Sequence, residues 1–134
     1  MTFPLITFPD AVALVIGHLT DDPTITVPVH KRVPADRPAS FVTVQRVGGP
    51  AGLVTDDAQV MIGCWGDDDV TAADLAIVVR GSLGTMRGEV VDGVQVYRVT
   101  ELAGPADIPD PDSDQYRMRW TITVQVRGTT PVSS

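Results

Sequence analysis

The sequence predicts a strand-rich α/β (α+β) domain with two helices, and three observations carry that prediction. Residues 116–126 alternate apolar and polar side chains without a break. The run Val90-Val91-Asp92-Gly93-Val94 has the chemistry of a tight hairpin, because Asp-Gly tolerates the positive φ angles of a type I′ turn. Two further windows repeat apolar residues at helical spacing. The chain has 134 residues, 43% of them apolar and 20% charged, enough for one hydrophobic core and with no shift of composition that would mark a second domain. Residues 1–134 are therefore expected to form a single domain, with 128–134 as a flexible tail.

The first helix is expected at about Asp10–Leu19. Asp10 is placed to cap it, and Val12, Val15, Ile16 and Leu19 fall on one face. Gly17 inside it costs about 1 kcal/mol relative to Ala. Thr24–Val29 reads as a short strand interrupted by Pro28, as at a sheet edge. Phe41–Val47 alternates. Ala58–Trp65 is apolar on both parities, with Val60, Ile62 and Cys64 on one and Met61 and Trp65 on the other, the pattern of a central strand covered on both sides.

Asp67, Asp68 and Asp69 precede the second helix, expected at about 71–83 with Thr71 and Asp74 as an acidic capping box. Ala72, Leu75, Ala76, Val79, Leu83 and Met86 repeat with helical spacing, and Gly81 or Gly84 ends the helix. The hairpin that follows has its arms at about 88–91 and 94–100. In the last strand Tyr116, Met118, Trp120, Ile122, Val124 and Val126 take every second position, with Arg117, Arg119, Thr121, Thr123 and Gln125 between them. At about 3.3 Å per residue such a strand is about 36 Å long. It is expected either to bend midway or to project beyond the sheet.

Three connections are candidates for partner contact. Lys31–Ser40 carries Lys31, Arg32 and Arg37, a basic island on an acidic chain. Gly48–Asp57 contains Gly48-Gly49-Pro50 and reads as a mobile loop between two strands, ending in Asp56 and Asp57. Ala103–Asp114 carries three prolines among Asp107, Asp110, Asp112 and Asp114, and is expected to be extended and solvated.

Charge and composition exclude several functions. Seventeen acids against ten bases give a net charge of −7 and a pI near 4.5, against the basic footprint that nucleic-acid binding requires. No apolar run approaches the roughly 20 residues that span a bilayer, and with no basic start and no apolar core in the first ten residues secretion is not expected. A single cysteine, Cys64, excludes an intrachain disulfide, and its apolar neighbours mark it as a small buried hydrophobe. His18 and His30 lie on different elements without metal-ligand spacing. Asp67–Asp69 lacks the spacing of a calcium loop and reads as helix capping; the acids at 110, 112 and 114 read as a solvated linker. Neither Gly48-Gly49-Pro50-Ala51-Gly52 nor Gly81-Ser82-Leu83-Gly84 matches a phosphate loop. Trp65 and Trp120 read as core. No cofactor, metal or catalytic residue is expected. Arg117, Arg119 and Arg127 project from one face of the last strand; they are either a solvated surface or partners for Asp residues of a neighbouring subunit.

The order of elements resembles a family. An N-terminal helix precedes a Pro-bounded strand and a strand ending in Gly-Gly. A strand ending in Met61-Ile62-Gly63-Cys64-Trp65 then runs directly into a helix. A Gly-turned hairpin follows, and the chain closes on Gln115-Tyr116-Arg117-Met118-Arg119-Trp120-Thr121-Ile122-Thr123-Val124. Over nearly its whole length the chain resembles the tail terminator (tail-completion) proteins of long-tailed, non-contractile bacteriophages, particularly those of actinobacterial hosts. The resemblance implies a small mixed, mainly antiparallel sheet with two main helices packed on one side. It also implies a virion protein at the head-proximal end of the tail, assembled in the host cytoplasm. Its subunits form a hexameric ring that ends tail-tube polymerisation and meets the head–tail connector. The implied partners are other copies of the chain, the tail tube protein and the connector or neck protein, with no nucleic acid and no membrane. No catalysis belongs to that family. Contact residues are therefore chosen from this chain's own surface: Lys31, Arg32, Arg37, Gly49, Asp56, Asp57, Arg117 and Arg119. A neck or head-completion protein and a tail-tube-like subunit are alternatives within the same class. A small metal-dependent enzyme centred on Asp67–Asp69 and a ligand-binding module around Trp65 are alternatives outside it.

Overall fold

The computed structural model describes residues 4–131. Two helices, α1 (Ala11–Asp21) and α2 (Asp69–Gly84), lie on one face of a six-stranded sheet. Its strands are β1 (Val29–His30), β2 (Phe41–Gly48), β3 (Thr55–Gly66), β4 (Val90–Val91), β5 (Val94–Asp107) and β6 (Tyr116–Arg127). The spatial order is β1-β2-β3-β6-β5-β4; only β1 and β2 are parallel, so the sheet is mixed and mainly antiparallel as the resemblance implies.

The main core lies between this sheet and the helices. Val42 and Val44 of β2, Val60, Ile62 and Cys64 of β3, and Trp120, Ile122, Val124 and Val126 of β6 meet Val12, Val15 and Leu19 of α1 and Ala76, Val79 and Leu83 of α2. Period-two alternation in the strands delivers these residues to one face, and helical spacing does the same on the helices. His18 ties the helices together: its Nε2 lies 2.9 Å from the Ser82 carbonyl and 3.2 Å from the Thr85 hydroxyl.

The ends of the helices follow from their caps. The Asp10 carboxylate accepts from the amides of Val12 and Ala13, as the sequence predicts. In α2 the cap is Asp68, which accepts from the Thr71 amide at 2.7 Å, so the helix starts two residues before the expected Thr71. A carboxylate one turn ahead of the apolar stripe satisfies the free amides and complements the dipole, which displaces the Thr71–Asp74 box. The helix closes at Gly84. At the hairpin both turn residues have positive φ, 48° at Asp92 and 77° at Gly93. A type I′ turn requires this, and Asp-Gly adopts it readily.

Four expectations are corrected. The strand at Thr24–Val29 is reduced to Val29–His30, because the Asp22 carboxylate folds back onto the Thr24 amide and hydroxyl in a turn and Pro28 offers no amide. The last strand does not project: β3 pairs with it from Tyr116 to Arg127, and β5 pairs along its other side. The segment 103–114 is not all linker. β5 continues to Asp107, taking up Pro105 with register shifts between Glu101 and Ala106, and Asp110 is buried. The Gly48–Asp57 loop is hydrogen-bonded rather than loose: Arg46 donates to the carbonyls of Gly48 and Gly49, and Gly52 donates to Thr55. Of the expected tail, Thr129 is paired with Thr7 through both backbone hydrogen bonds; residues 132–134 lie outside the described residues. Among the described residues no helix is long and apolar enough to cross a membrane.

Candidate functional site

The sheet face turned away from the helices carries a second, smaller packed cluster. Three cross-strand rows build it: Phe41–Trp65–Arg117, Thr43–Gly63–Arg119 and Gln45–Met61–Thr121, each running from β2 through β3 to β6. Phe41 is fully buried and Trp65 is 3% exposed, yet neither belongs to the main core. Their rings stack with centroids 5.1 Å apart. β3 is thus covered along its length on the helix side, but on the other side only near Trp65.

In the middle row the space beside the Gly63 Cα is already filled. A Cβ there would meet the Thr43 hydroxyl at 2.7 Å and the Trp65 indole nitrogen at 3.0 Å. Those two atoms are themselves hydrogen-bonded, with Trp65 Nε1 donating to Thr43 Oγ1 at 3.1 Å. A cavity of about 170 Å³ adjoins this row, lined by Gly63, Trp65 and Met61 and walled by Arg37, Arg117 and Arg119.

Two connections form its rim, the 31–40 segment and the 108–115 segment, and they are bound to each other. Arg37 Nη1 donates to Asp110 at 2.7 Å and to the Ser113 hydroxyl at 3.1 Å, and Ser113 in turn donates to Asp110 at 2.5 Å. Gln115 donates to the Pro38 carbonyl at 3.0 Å. The Ser113 hydroxyl, with help from the Arg37 guanidinium and the Asp112 amide, holds the Asp110 carboxyl down at about 2, against the opposing effect of its desolvation. Asp110, expected in a solvated linker, is instead the buried anchor of the rim.

Three guanidinium groups meet here in different states. Arg37 is neutralised by Asp110 and its guanidinium carbon lies 5.6 Å from the centre of the Trp65 ring. That of Arg117 lies 5.0 Å from the same ring, with Nε donating to the Ile108 carbonyl at 3.2 Å. Arg119 directs Nε at the Met61 sulfur, 2.8 Å away. Burial, and then the charge of Arg119, lower the pKa of Arg117 from its ordinary value, against the pull of Asp110 and Asp112.

The structure divides the residues expected to make contacts. Arg37, Arg117 and Arg119 converge on the cavity. Lys31 and Arg32 line a separate open groove with Asp10 and Arg46. Asp56 does not reach the surface: it is 2% exposed and accepts a two-point ion pair from Arg46, at 2.7 and 2.9 Å. Asp57 lies on the uncovered sheet face and accepts from Gln125. Gly49 turns the chain at φ 99°, so close to the Asp57 carbonyl that no side chain fits. Sequence reasoning missed Gly63, Thr43 and Asp110 as parts of one site. The rows that unite them cross three strands and leave no local signal; only Asp110-Pro111-Asp112-Ser113, a turn sequence, points to a built feature.

Other candidates are placed plainly. Asp68 of the acidic triplet is the α2 cap, and among the described residues no group of three His, Cys, Asp or Glu side chains stands where it would hold a metal ion. Cys64 is buried and its thiol pKa is pushed up by burial, away from thiolate chemistry.

No family model matches the chain, and no curated protein matches it. Among solved structures, a chain in one described as the virion of a native gene transfer agent particle shares its fold. The TM-score is 0.66 at 16% sequence identity, over 87% of this chain and 93% of that one.

Proposed function

We propose that this protein is a structural component of a virion that caps the tail tube, ends its polymerisation and joins it to the head–tail connector as a ring of six. The observation that carries this reading is the fold shared, over almost the full length of both chains, with a chain in the virion of a gene transfer agent particle. The element order of tail terminators, from the first helix to the Arg/Tyr-rich last strand, supports the same reading. It makes the protein a shaped block whose work is docking, in the virion and without turnover.

A head-to-tail contact closes into a ring when its rotation allows, and such a contact needs two unlike surfaces on each subunit. The exposed Lys31 and Arg32, the Arg117–Arg119 face and the turn at Gly49 are the surfaces we assign to neighbouring copies or the tube. Exposed acids such as Asp67, Asp69 and Asp107 supply the opposite sign. Asp57 remains a candidate on the uncovered face, whereas Asp56 acts within the subunit.

Native mass spectrometry with negative-stain imaging of the purified protein tests this reading. Six-membered rings, formed at high concentration or on the ends of tail tubes, are the expected result. A strict monomer under both conditions overturns it. Rings that bind the connector but leave tube growth unchecked assign the protein to the neck instead.

A further inference from the structure

We infer that the cavity beside Trp65 and Met61 is a receptor for a carboxylate, presented by a single acidic side chain of a protein segment and gripped between Arg117 and Arg119. This deepens the assembly reading and rests on it only for which protein presents the acid.

The argument begins with unmet hydrogen-bonding capacity. Arg117 and Arg119 sit two residues apart on one strand, so both side chains leave the same face. Neither pairs with a carboxylate among the described residues, whose ion pairs are Arg37–Asp110, Arg46–Asp56 and Arg80–Glu101. Arg117 uses Nε on a carbonyl, and Arg119 uses Nε on a thioether, a weak acceptor. The four Nη atoms have no partner among the described residues. Two like charges held together at a partly desolvated site repel one another, and an anion between them removes that cost.

Shape and preorganisation select the anion. Gly63, Thr43, Trp65 and Met61 line the cavity's inner side, and the space of about 170 Å³ accepts a carboxylate with its first methylenes. Arg117 is held against Trp65, and Trp65 is locked by Phe41 and Thr43, so a guanidinium fork is already in place before the ligand arrives. Paired guanidinium groups match the two oxygens of a carboxylate.

Charge at the rim selects a protein over a nucleic acid. Asp110 and Asp112 line the same opening, and the chain carries a net charge of −7. A phosphate backbone crossing the rim meets those acids, whereas a single side chain entering between the arginines does not.

The test uses an N-acetylated, C-amidated serine-rich peptide with one aspartate and a six-nucleotide oligothymidylate, titrated calorimetrically into the protein at a concentration where it sediments as single subunits. The peptide is expected to bind, with affinity falling at least tenfold in both Arg117→Ala and Arg119→Ala. Arg127→Ala, on the same strand face but outside the cavity, leaves it unchanged. Arg119→Gln, which keeps most of the side-chain packing, serves should the alanine variant fail to fold. No binding by wild type, equal binding by wild type and both arginine variants, or tighter binding of the oligothymidylate overturns the inference. Rings without peptide binding remove the receptor and keep the terminator reading. Peptide binding that depends on both arginines, without rings, does the reverse.

Discussion

Trp65 and Arg117 are direct partners across β3 and β6, and the guanidinium carbon of Arg117 lies 5.0 Å from the centre of the indole ring. This relationship joins two residues 52 positions apart that do different work at one place. The indole seals the uncovered face of the sheet, and the arginine carries charge into the cavity beside it. Trp65 can do this only because its other register partner, Phe41, stacks against it and because Gly63 leaves its indole nitrogen free to reach Thr43.

Gly63→Ala is therefore expected to destabilise the protein by about 1–3 kcal/mol, the usual cost of overpacking a position already filled by neighbours. Urea unfolding measures the loss. The Trp65 indole resonance is expected to shift as the hydrogen bond to Thr43 is pushed apart, while that of Trp120, on the helix side, stays in place.

Asp110 gives the fold a dependence on acid. Its folded pKa of about 2 lies below the unfolded value of about 3.9, so its contribution is complete above that unfolded value and is lost as pH falls through the folded one. In urea titrations the gap between wild type and Asp110→Asn is expected to stay constant above about pH 5 and to narrow as pH falls toward about 2. A gap that widens on acidification overturns this assignment.

The ion pair between Arg46 and Asp56 holds the β2–β3 turn. Arg46→Ala leaves the buried Asp56 carboxylate without its partner and is expected to cost about 2–3 kcal/mol. Arg46→Lys recovers part of it, since an ammonium replaces the charge but not the two-point geometry. Thermal or urea unfolding of the two variants separates these outcomes.

Capping of α2 is decided by Asp68. Asp68→Ala is expected to lower stability, read as a fall in the urea midpoint. Thr71→Ala, which removes an exposed side chain inside the first turn, changes it by less than about half that. Equal losses in the two variants argue for the Thr71–Asp74 box.

For assembly, Arg119→Glu is expected to weaken ring formation while leaving the circular dichroism and melting of the single subunit close to wild type. Native mass spectrometry reads the first and thermal denaturation the second. An unchanged ring removes Arg119 from the contact.

Most local chemistry was legible, although the Asp22–Thr24 turn and the start of α2 at the Asp68 cap were not. Asp10, the apolar stripes of both helices, the Asp92-Gly93 turn and the alternation of β6 each specify their element through neighbours within a few residues, and each appears in the structure. Errors fell where a local preference was outvoted. Proline and aspartate between 103 and 114 favour an extended, wet chain, but β6 offered a long edge for β5 to follow, and Arg37, 73 positions away, drew Asp110 inward.

By itself the sequence determined the elements, the parity of their apolar faces, the acidic charge and the order that resembles tail terminators. Only the tertiary structure decided which polar residues share a surface. It set Arg117 and Arg119 over Gly63, gave Arg37 to Asp110 and turned Asp56 inward to Arg46. The physical reason lies in range. Helical and strand periods are written in spacings of two to four residues, whereas a sheet face is assembled by register across strands, and register is settled by packing of the whole core.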